Sequence, residues 1–209
     1  MPARAADVTV AVAANFAAPM QRIAAAFERD TGHRARLAVG STGKFEAQIR
    51  HGAPFQVLLA ADAETPARLE RDGLAAAGTR FTYATGRLVL WSAQPGAVDR
   101  EGAVLRTGRI ERLALADPKL APYGAAAIQT LAALDLLPAV APQFVQGENI
   151  AQAHHFVASG NATLGFVAMS QVFADGKLVQ GSAWVVPASL HAPLRQDAVL
   201  LRAGQGHAA

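Results

Sequence analysis

Residues 8–27, VTVAVAANFAAPMQRIAAAF, decide the fold of this chain. The first part alternates valine with small or polar residues, which is the period of a half-buried β-strand. After Ala14-Asn15-Phe16, apolar residues recur at helical spacing until Thr31-Gly32, where glycine ends a helix. The stretch therefore predicts a strand, a short polar turn and a helix.

The same unit recurs along the chain. Further strands are predicted at 37–39, 57–60, 87–92, 113–116, 144–145, 165–168 and 184–186. Helices are predicted through 45–49 and at about 63–72, 124–134 and 151–159. Strands that alternate with helices are typical of an α/β fold with a parallel sheet.

The alternation occurs in two sets, which predicts two α/β lobes. The strand at 87–92 leaves the first set, and the tail through 199–201 is expected to return to it. We predict one lobe from residues 1–84 plus 187–209 and a second from residues 85–186. Strand ends that face a common opening make a ligand cleft between such lobes.

Four short polar segments each follow a predicted strand and open a predicted helix. They are Ala14-Asn15-Phe16, Gly40-Ser41-Thr42-Gly43, Pro122-Tyr123-Gly124 and Glu148-Asn149-Ile150. A helix N-terminus leaves backbone N–H groups without partners and adds the positive end of the peptide dipole. Several of them together can bind an oxyanion without a lysine or arginine, so the first functional hypothesis is an oxyanion receptor.

Composition excludes several other classes of protein. Only 17% of the 209 residues are charged, and no run of 18 uncharged apolar residues occurs, so neither a disordered chain nor a membrane-spanning helix is predicted. The net charge is +3, but the arginines are scattered, so no nucleic-acid partner is expected. The absence of cysteine rules out disulfides and cysteine-based zinc sites. At the N-terminus, Ala3-Arg4-Ala5 has the small-x-small form that precedes a signal-peptidase cut, although an ordinary tail fits equally well.

The order and spacing of these segments resemble the periplasmic molybdate-binding proteins of ABC transporters, which have the type II, two-lobed solute-binding fold. The resemblance covers roughly residues 8–201. The resemblance rests on these segments: Val12-Ala13-Ala14-Asn15-Phe16, Gly40-Ser41-Thr42-Gly43, residues 47–54, Ala60-Ala61-Asp62, Ala121-Pro122-Tyr123-Gly124 and Gly165-Phe166-Val167-Ala168.

The resemblance implies a set of ligand-binding residues: Ala14, Asn15, Ser41, Thr42, Tyr123 and Ile150. Many members of the family have serine where this chain has Asn15, and a tyrosine at the position of Ala168; Tyr123 is the expected replacement for that hydroxyl. The implied ligand is molybdate or tungstate, bound as an oxyanion by hinge closure, with no cofactor, no metal cation and no catalytic residue. The implied partner is an ABC transporter permease, and the protein is expected to be a periplasmic monomer whose signal peptide has been removed.

Other interpretations of the same residues stay open. The four polar segments could bind another oxyanion, such as sulfate or phosphate. They could also form the anion-binding part of a hydrolase or phosphoryl-transfer enzyme, with Asp62 or Asp117 as the base. We expect structural roles for both carboxylates: Asp62 as a helix cap or ion-pair partner, and Asp117 as a turn residue. A sensor or adhesion module that has lost its ligand is a third class. Adjacent His154 and His155 point in different directions on a helix, so we predict a solvated face and no metal site, and Lys44 is expected to face solvent.

Overall fold

The computed structural model describes residues 5–107 and 110–209. Met1–Arg4, and with them most of the predicted processing sequence, lie outside these residues. The chain forms two compact units: unit 1 comprises residues up to 84 and residues 195–209, and unit 2 comprises residues 85–194. Residues 187–194 thus belong to unit 2, whereas the sequence interpretation assigned them to the first lobe. The Ala192 N–H donates to the Gln129 side chain within unit 2, 2.8 Å away, which helps to hold this segment there.

The helices and strands follow the predicted order, with several short elements added. In chain order they are β1 (Asp7–Ala13), α1 (Ala17–Thr31), β2 (Arg34–Gly40), α2 (Thr42–Arg50), β3 (Val57–Leu59), α3 (Glu64–Arg71), β4 (Phe81–Gly86), β5 (Leu88–Ser92), β6 (Leu113–Ala116), α4 (Pro122–Ala133), α5 (Leu137–Val140), β7 (Phe144–Gly147), α6 (Ile150–Ala158), β8 (Leu164–Ala168), α7 (Met169–Val172), β9 (Phe173–Ala174), β10 (Lys177–Leu178), β11 (Ser182–Val185) and β12 (Leu194–Leu200). Short 3₁₀ turns lie at Ala14–Phe16, Ala103–Arg106, Ala141–Gln143, Ala188–Leu190 and Arg202–Gly204.

Unit 1 is built on a sheet with the strand order β2-β1-β3-β12-β4. Strand β1 runs parallel to both β2 and β3, but β12 pairs with β3 in the antiparallel direction. The predicted return of the C-terminal tail to the first unit is confirmed, while the expectation of a purely parallel sheet is wrong. The antiparallel strand enters from unit 2, so its direction is not set by a strand-helix-strand connection.

Apolar side chains on both faces of this sheet form the core of unit 1. One cluster includes Phe45, Leu58 and Leu69, and the other includes Val12 and Met20. The sheet of unit 1 is therefore packed against apolar side chains on both faces, including those of α1, α2 and α3.

Unit 2 has its own sheet, with the strand order β11-β5-β8-β6-β7. Strand β6 is parallel to β7 and β8, whereas β5 is antiparallel to β8 and β11. Strands β9 and β10 form a separate antiparallel pair. Among the described residues, no single helix is long and apolar enough to cross a membrane, although helices 122–133 and 137–143 pass that test jointly as a pair bent by 118°.

Candidate functional site

Two of the predicted polar segments start from neighbouring strands of unit 1. Strands β1 and β2 are parallel and in register, with Ala13 opposite Gly40, so their carboxyl ends share one edge of the sheet. Ala14 and Asn15 begin the 3₁₀ turn Ala14–Phe16, which directly follows β1. Ser41 precedes α2 directly after β2. The structure thus brings Ala14, Asn15, Ser41 and Thr42 together, and we call these four residues the unit 1 donor group.

Ser41 occupies the N-cap position of α2 without capping the helix. Its backbone is extended, with φ −85° and ψ 148°, but its side chain makes no hydrogen bond to the first turn. Only 3% of the residue is exposed, and its hydroxyl oxygen has no hydrogen-bond partner among the described residues. A buried hydroxyl without a partner is costly in a folded protein. Ordinary capping, the structural alternative for this serine, is therefore not what the geometry shows.

Thr42 is held against the end of the third parallel strand. Its hydroxyl oxygen accepts a hydrogen bond from the Ala61 N–H, 2.9 Å away and buried. This bond uses a lone pair of the oxygen, so the hydroxyl proton remains available for an acceptor at the strand ends. Ala61 follows β3, and the third strand end of unit 1 therefore orients a donor of the same group.

Asn15 is buried, with 5% of its surface exposed. Its side-chain nitrogen donates to Oε1 of Gln196 on β12, 2.8 Å away, and the same oxygen accepts from the hydroxyl of Tyr83 at 3.0 Å. The ring of Tyr83 also packs against Phe16 in the turn, with 4.7 Å between ring centres. Sequence reasoning missed Gln196 and Tyr83; Gln196 stands between Arg195 and Asp197 in β12, so the local pattern did not distinguish it.

In unit 2, the first turn of α6 presents one particular N–H group. The side chain of Asn149 accepts from the N–H groups of Ala151 and Gln152 at 3.0 and 3.1 Å, and its backbone oxygen accepts from Ala153. Within the described part of the chain, the N–H of Ile150 is the one in this turn for which no acceptor is found. The cap thus singles out Ile150 as a donor, which the sequence prediction also named.

Tyr123 lies in the first turn of α4, directly after Pro122 at the first helical position. It is buried, with 3% of its surface exposed. Gly124 follows, and a Cβ atom at that position would lie 2.1 Å from the carbonyl oxygen of Ala116, at the end of β6. Only glycine permits this close approach of the helix start to the strand end. We call Tyr123 and Ile150 the unit 2 donor group.

Ala168 ends β8 and offers no hydroxyl. Its N–H donates to Oε1 of Gln171 at 2.9 Å, and Nε2 of Gln171 donates to the carbonyl oxygen of Ile150 at 3.2 Å. Gln171 thus ties the end of β8 to the start of α6. The sequence prediction did not include this residue.

Both carboxylates considered as catalytic bases have structural contacts. The two oxygens of Asp62 accept from the N–H and hydroxyl of Thr65, at 2.7 and 3.1 Å, and so cap α3. Burial raises the pKa of the Asp62 carboxyl, and these two hydrogen bonds only partly offset that effect. Asp117 accepts from the Lys119 N–H at 2.9 Å and stabilises the predicted turn.

The histidine pair differs from the sequence prediction. His155 is exposed, but His154 is half-buried and stacks on Trp91, with 5.0 Å between ring centres and 15° between ring planes. The expectation of a solvated face is therefore wrong for His154, because its side of α6 packs on the sheet. Burial, and secondarily the neighbouring His155, lower the pKa of His154. Among the described residues, no group of three or more metal-ligating side chains occurs, and Lys44 is exposed as expected.

The sequence profile of the family described as "Bacterial extracellular solute-binding protein" matches residues 8–209. The chain therefore belongs to this family of bacterial extracellular solute-binding proteins. More particularly, it is similar to two relatives named molybdate-binding protein ModA. The one from Azotobacter vinelandii is 58% identical over 207 residues, which cover 99% of this chain and 82% of the relative. The one from Rhodobacter capsulatus is 51% identical over 209 residues, which cover 100% and 81%.

Solved structures give the same result. The periplasmic molybdate-binding protein of Azotobacter vinelandii matches with a TM-score of 0.90 and 41% identity, covering 93% of this chain and 85% of that one. The sulfate-binding protein SubI from Mycobacterium tuberculosis matches with a TM-score of 0.75, covering 94% and 76%, but at 12% identity this likeness concerns the fold alone. The α/β solute-binding fold and the family inferred from the sequence are thereby confirmed.

Proposed function

We propose that this protein is an extracytoplasmic receptor that binds molybdate, and also tungstate, and delivers it to an ABC transporter permease. The names of the two relatives and of the matched structure support the ligand. The donors that we assign to it are those of the unit 1 and unit 2 donor groups. They comprise hydroxyl, carboxamide and backbone N–H groups, which are the hydrogen-bond donors that an oxyanion requires.

The observation that carries the proposal is the Ser41 hydroxyl. It is buried, lacks a partner among the described residues and adjoins the starts of two helical turns on paired strands. A bound oxyanion would accept its proton and remove the cost of burying it. The Ile150 N–H, set apart by the Asn149 cap, supports the same proposal from unit 2.

Selectivity is proposed to follow from the absence of a carboxylate among the described residues assigned to the site, which are Ala14, Asn15, Ser41, Thr42, Tyr123 and Ile150. Hydrogen phosphate carries a proton that needs an acceptor, whereas molybdate, tungstate and sulfate carry none at neutral pH. Asp62 adjoins Ala61 in the unit 1 edge, but both of its oxygens already accept from Thr65. Molybdate and tungstate are nearly the same size, so we expect similar affinities for both, and a smaller ion such as sulfate to bind more weakly.

The affinity is expected to be micromolar to nanomolar. About six or seven hydrogen bonds to a charged ligand contribute roughly 1.5–3 kcal/mol each before costs are subtracted. Dehydrating a dianion and ordering the protein offset much of this, which leaves roughly −8 to −12 kcal/mol. The chain passes between the units after residue 84 and before residue 195, and we propose that these two crossings act as the hinge for closure on the ligand.

We propose a periplasmic monomer that has no cofactor and no catalytic activity. The enzyme alternative requires a carboxylate that reaches the bound group. Asp62 has the raised pKa of such a base, but its oxygens face Thr65 at the start of α3. On our proposal, Asp62→Asn therefore leaves oxyanion affinity unchanged, and the wild-type protein does not hydrolyse p-nitrophenyl phosphate.

Calorimetric titration of the ligand-free protein with molybdate, tungstate, sulfate and phosphate tests the proposal. We expect one-to-one binding of the first two ions, sulfate weaker by roughly a hundredfold or more, and no heat from phosphate. No response to molybdate would contradict the receptor function and favour the ligand-free or enzymatic alternatives. Tight sulfate binding without molybdate binding would replace the proposed ligand by sulfate.

A pair of variants tests the assignment of the Ile150 N–H. Proline fits the first helical position and lacks the N–H, and Asn149 already has the extended backbone that a following proline requires. Ile150→Pro should weaken molybdate binding roughly tenfold or more relative to Ile150→Ala, which also loses packing but keeps the N–H. Equal affinities of the two variants would remove this group from the site.

A further inference from the structure

A buried hydrogen-bonded chain lies behind the first loop of unit 1. Oε1 of Gln196 accepts from Nδ2 of Asn15 at 2.8 Å and from the Tyr83 hydroxyl at 3.0 Å. The Tyr83 hydroxyl also lies 2.8 Å from the carbonyl oxygen of Ala60, the residue after β3. Two segments of unit 1 that are distant in sequence thus meet at Gln196, of which 2% is exposed, and Tyr83 links it to a third at Ala60.

This glutamine is costly for a core position. It lies on β12 between the apolar Leu194 and Ala198, which are two positions away on either side and buried, and next to the buried Asp197, which pairs with Arg80. A buried carboxamide stabilises a fold only when its polar atoms are hydrogen-bonded, and even then the net gain is small. A contribution to stability is therefore a poor explanation for a polar side chain at position 196.

Both contacts of Oε1 are with groups that can donate: the side-chain nitrogen of Asn15, and the Tyr83 hydroxyl, whose single proton is shared between this oxygen and the Ala60 carbonyl oxygen. A carboxylate would accept two such hydrogen bonds more strongly than a carboxamide does. It would, however, add a negative charge next to a loop that we assign to a dianion. A neutral acceptor is the side chain that can hold Asn15 without repelling the ligand.

We propose that Gln196 is a positioning and selectivity residue of the oxyanion site, an inference that rests on the proposed function. It accepts from Asn15 and thereby fixes the 3₁₀ turn at Ala14–Phe16, which presents backbone N–H groups to the ligand. It also provides this acceptor without adding a negative charge next to the loop. Tyr83 shares the same oxygen and helps to hold Gln196 in this orientation.

The test compares Gln196→Glu and Gln196→Met with a matched control, Gln56→Glu. Gln56 is also in unit 1, and its Oε1 also accepts a hydrogen bond, from the Thr9 N–H. It precedes β3, at the end of the sheet opposite to the donor group. Each protein is titrated with sodium molybdate between pH 6 and pH 8.5, and its thermal unfolding is followed in parallel.

We expect Gln196→Glu to bind molybdate at least roughly a hundredfold more weakly than wild type at pH 8.5. The loss should shrink toward pH 6, with the dissociation constant changing by up to about tenfold per pH unit, because binding a dianion favours the protonated carboxyl. Calorimetry in buffers of different ionisation enthalpy should then detect proton uptake that wild type and Gln56→Glu lack. Gln196→Met should bind roughly tenfold more weakly at every pH, and Gln56→Glu should stay within roughly twofold of wild type.

Two outcomes would overturn the inference. If Gln196→Met unfolds at a lower temperature but binds molybdate like wild type, Gln196 is a structural residue only. If Gln196→Glu shows neither weaker binding nor a pH dependence, its charge does not act on the site. If Gln196→Glu fails to fold, the molybdate affinity of Gln196→Met alone decides whether Gln196 positions Asn15 or has only a structural role. Failure of the proposed function is distinguishable, because wild-type protein would then give no molybdate signal in the same titration.

Discussion

Replacing Ser41 by alanine should move protein stability and ligand affinity in opposite directions. In the ligand-free protein the Ser41 hydroxyl is buried and has no partner among the described residues, which costs about 1–3 kcal/mol. Ser41→Ala removes that cost, so we expect the free energy of unfolding without ligand to stay the same or to rise by up to about 1 kcal/mol. Most substitutions of buried residues do the opposite.

The same substitution should weaken molybdate binding. A hydrogen bond to a charged group contributes about 1.5–3 kcal/mol, which corresponds to a loss of roughly tenfold to 150-fold in affinity. Ser182→Ala is the matched control, because Ser182 is also buried but its hydroxyl donates to the Gln94 carbonyl at 2.7 Å and accepts from the Val98 N–H at 2.9 Å. This control should lose about 1–3 kcal/mol of stability and keep the wild-type affinity.

The assay is calorimetric titration with molybdate, combined with urea unfolding of the ligand-free proteins. We expect Ser41→Ala to bind molybdate more weakly while its free energy of unfolding stays the same or rises. We expect Ser182→Ala to lose stability only, with its molybdate affinity unchanged. If Ser41→Ala lost stability as Ser182→Ala does, and its dissociation constant stayed within roughly twofold of wild type, the reasoning from the buried hydroxyl would be refuted.

Three further predictions concern other parts of the chain. Tyr123→Phe should weaken molybdate binding roughly tenfold or more; an unchanged dissociation constant would remove the hydroxyl from the site. Arg80→Ala should lower the free energy of unfolding by about 2–3 kcal/mol, because Arg80 pairs at 2.7 Å with the fully buried Asp197, and urea titration would contradict this if the loss were below about 0.5 kcal/mol. Burial lowers the pKa of His154, so the unfolded chain takes up a proton at this histidine more readily than the folded protein does. The free energy of unfolding should therefore fall as pH drops below about 6.5. His154→Gln should flatten this part of the stability profile, and it should abolish any change of Trp91 fluorescence with pH in the same range, because His154 stacks on Trp91.

Local sequence patterns were sufficient to predict most of the fold. Alternating valines at the start of the chain predicted β1, and Gly32, with φ 74°, ends α1 where the sequence indicated. Strand direction was harder, because the pattern within a strand does not say which neighbour it joins. Strand β12 was therefore placed in the correct unit, but its antiparallel pairing with β3 was not predicted.

The candidate site divides in the same way. The polar segments that contain Ser41 and Ile150 could be found from sequence because a strand, a polar residue and a helix follow one another along the chain, and the resemblance to the molybdate-binding family then implied these two residues. Gln196 could not be named, since it contacts Asn15 across 181 positions of sequence. The contact between His154 and Trp91 was missed for the same reason, because it joins a helix to a strand that lies far earlier in the chain.

The Asn15–Gln196–Tyr83 contacts also bear on how this protein could be engineered as an optical sensor. Tyr83 and Gln196 each lie one residue from the border of unit 1, next to Ala84 and Arg195. We expect a reporter domain inserted at either border to disturb the adjacent residue and its hydrogen bond to or from Gln196, and so to weaken the binding that it is meant to report. The exposed turn at Gly96 in unit 2 offers an insertion point that leaves these hydrogen bonds intact.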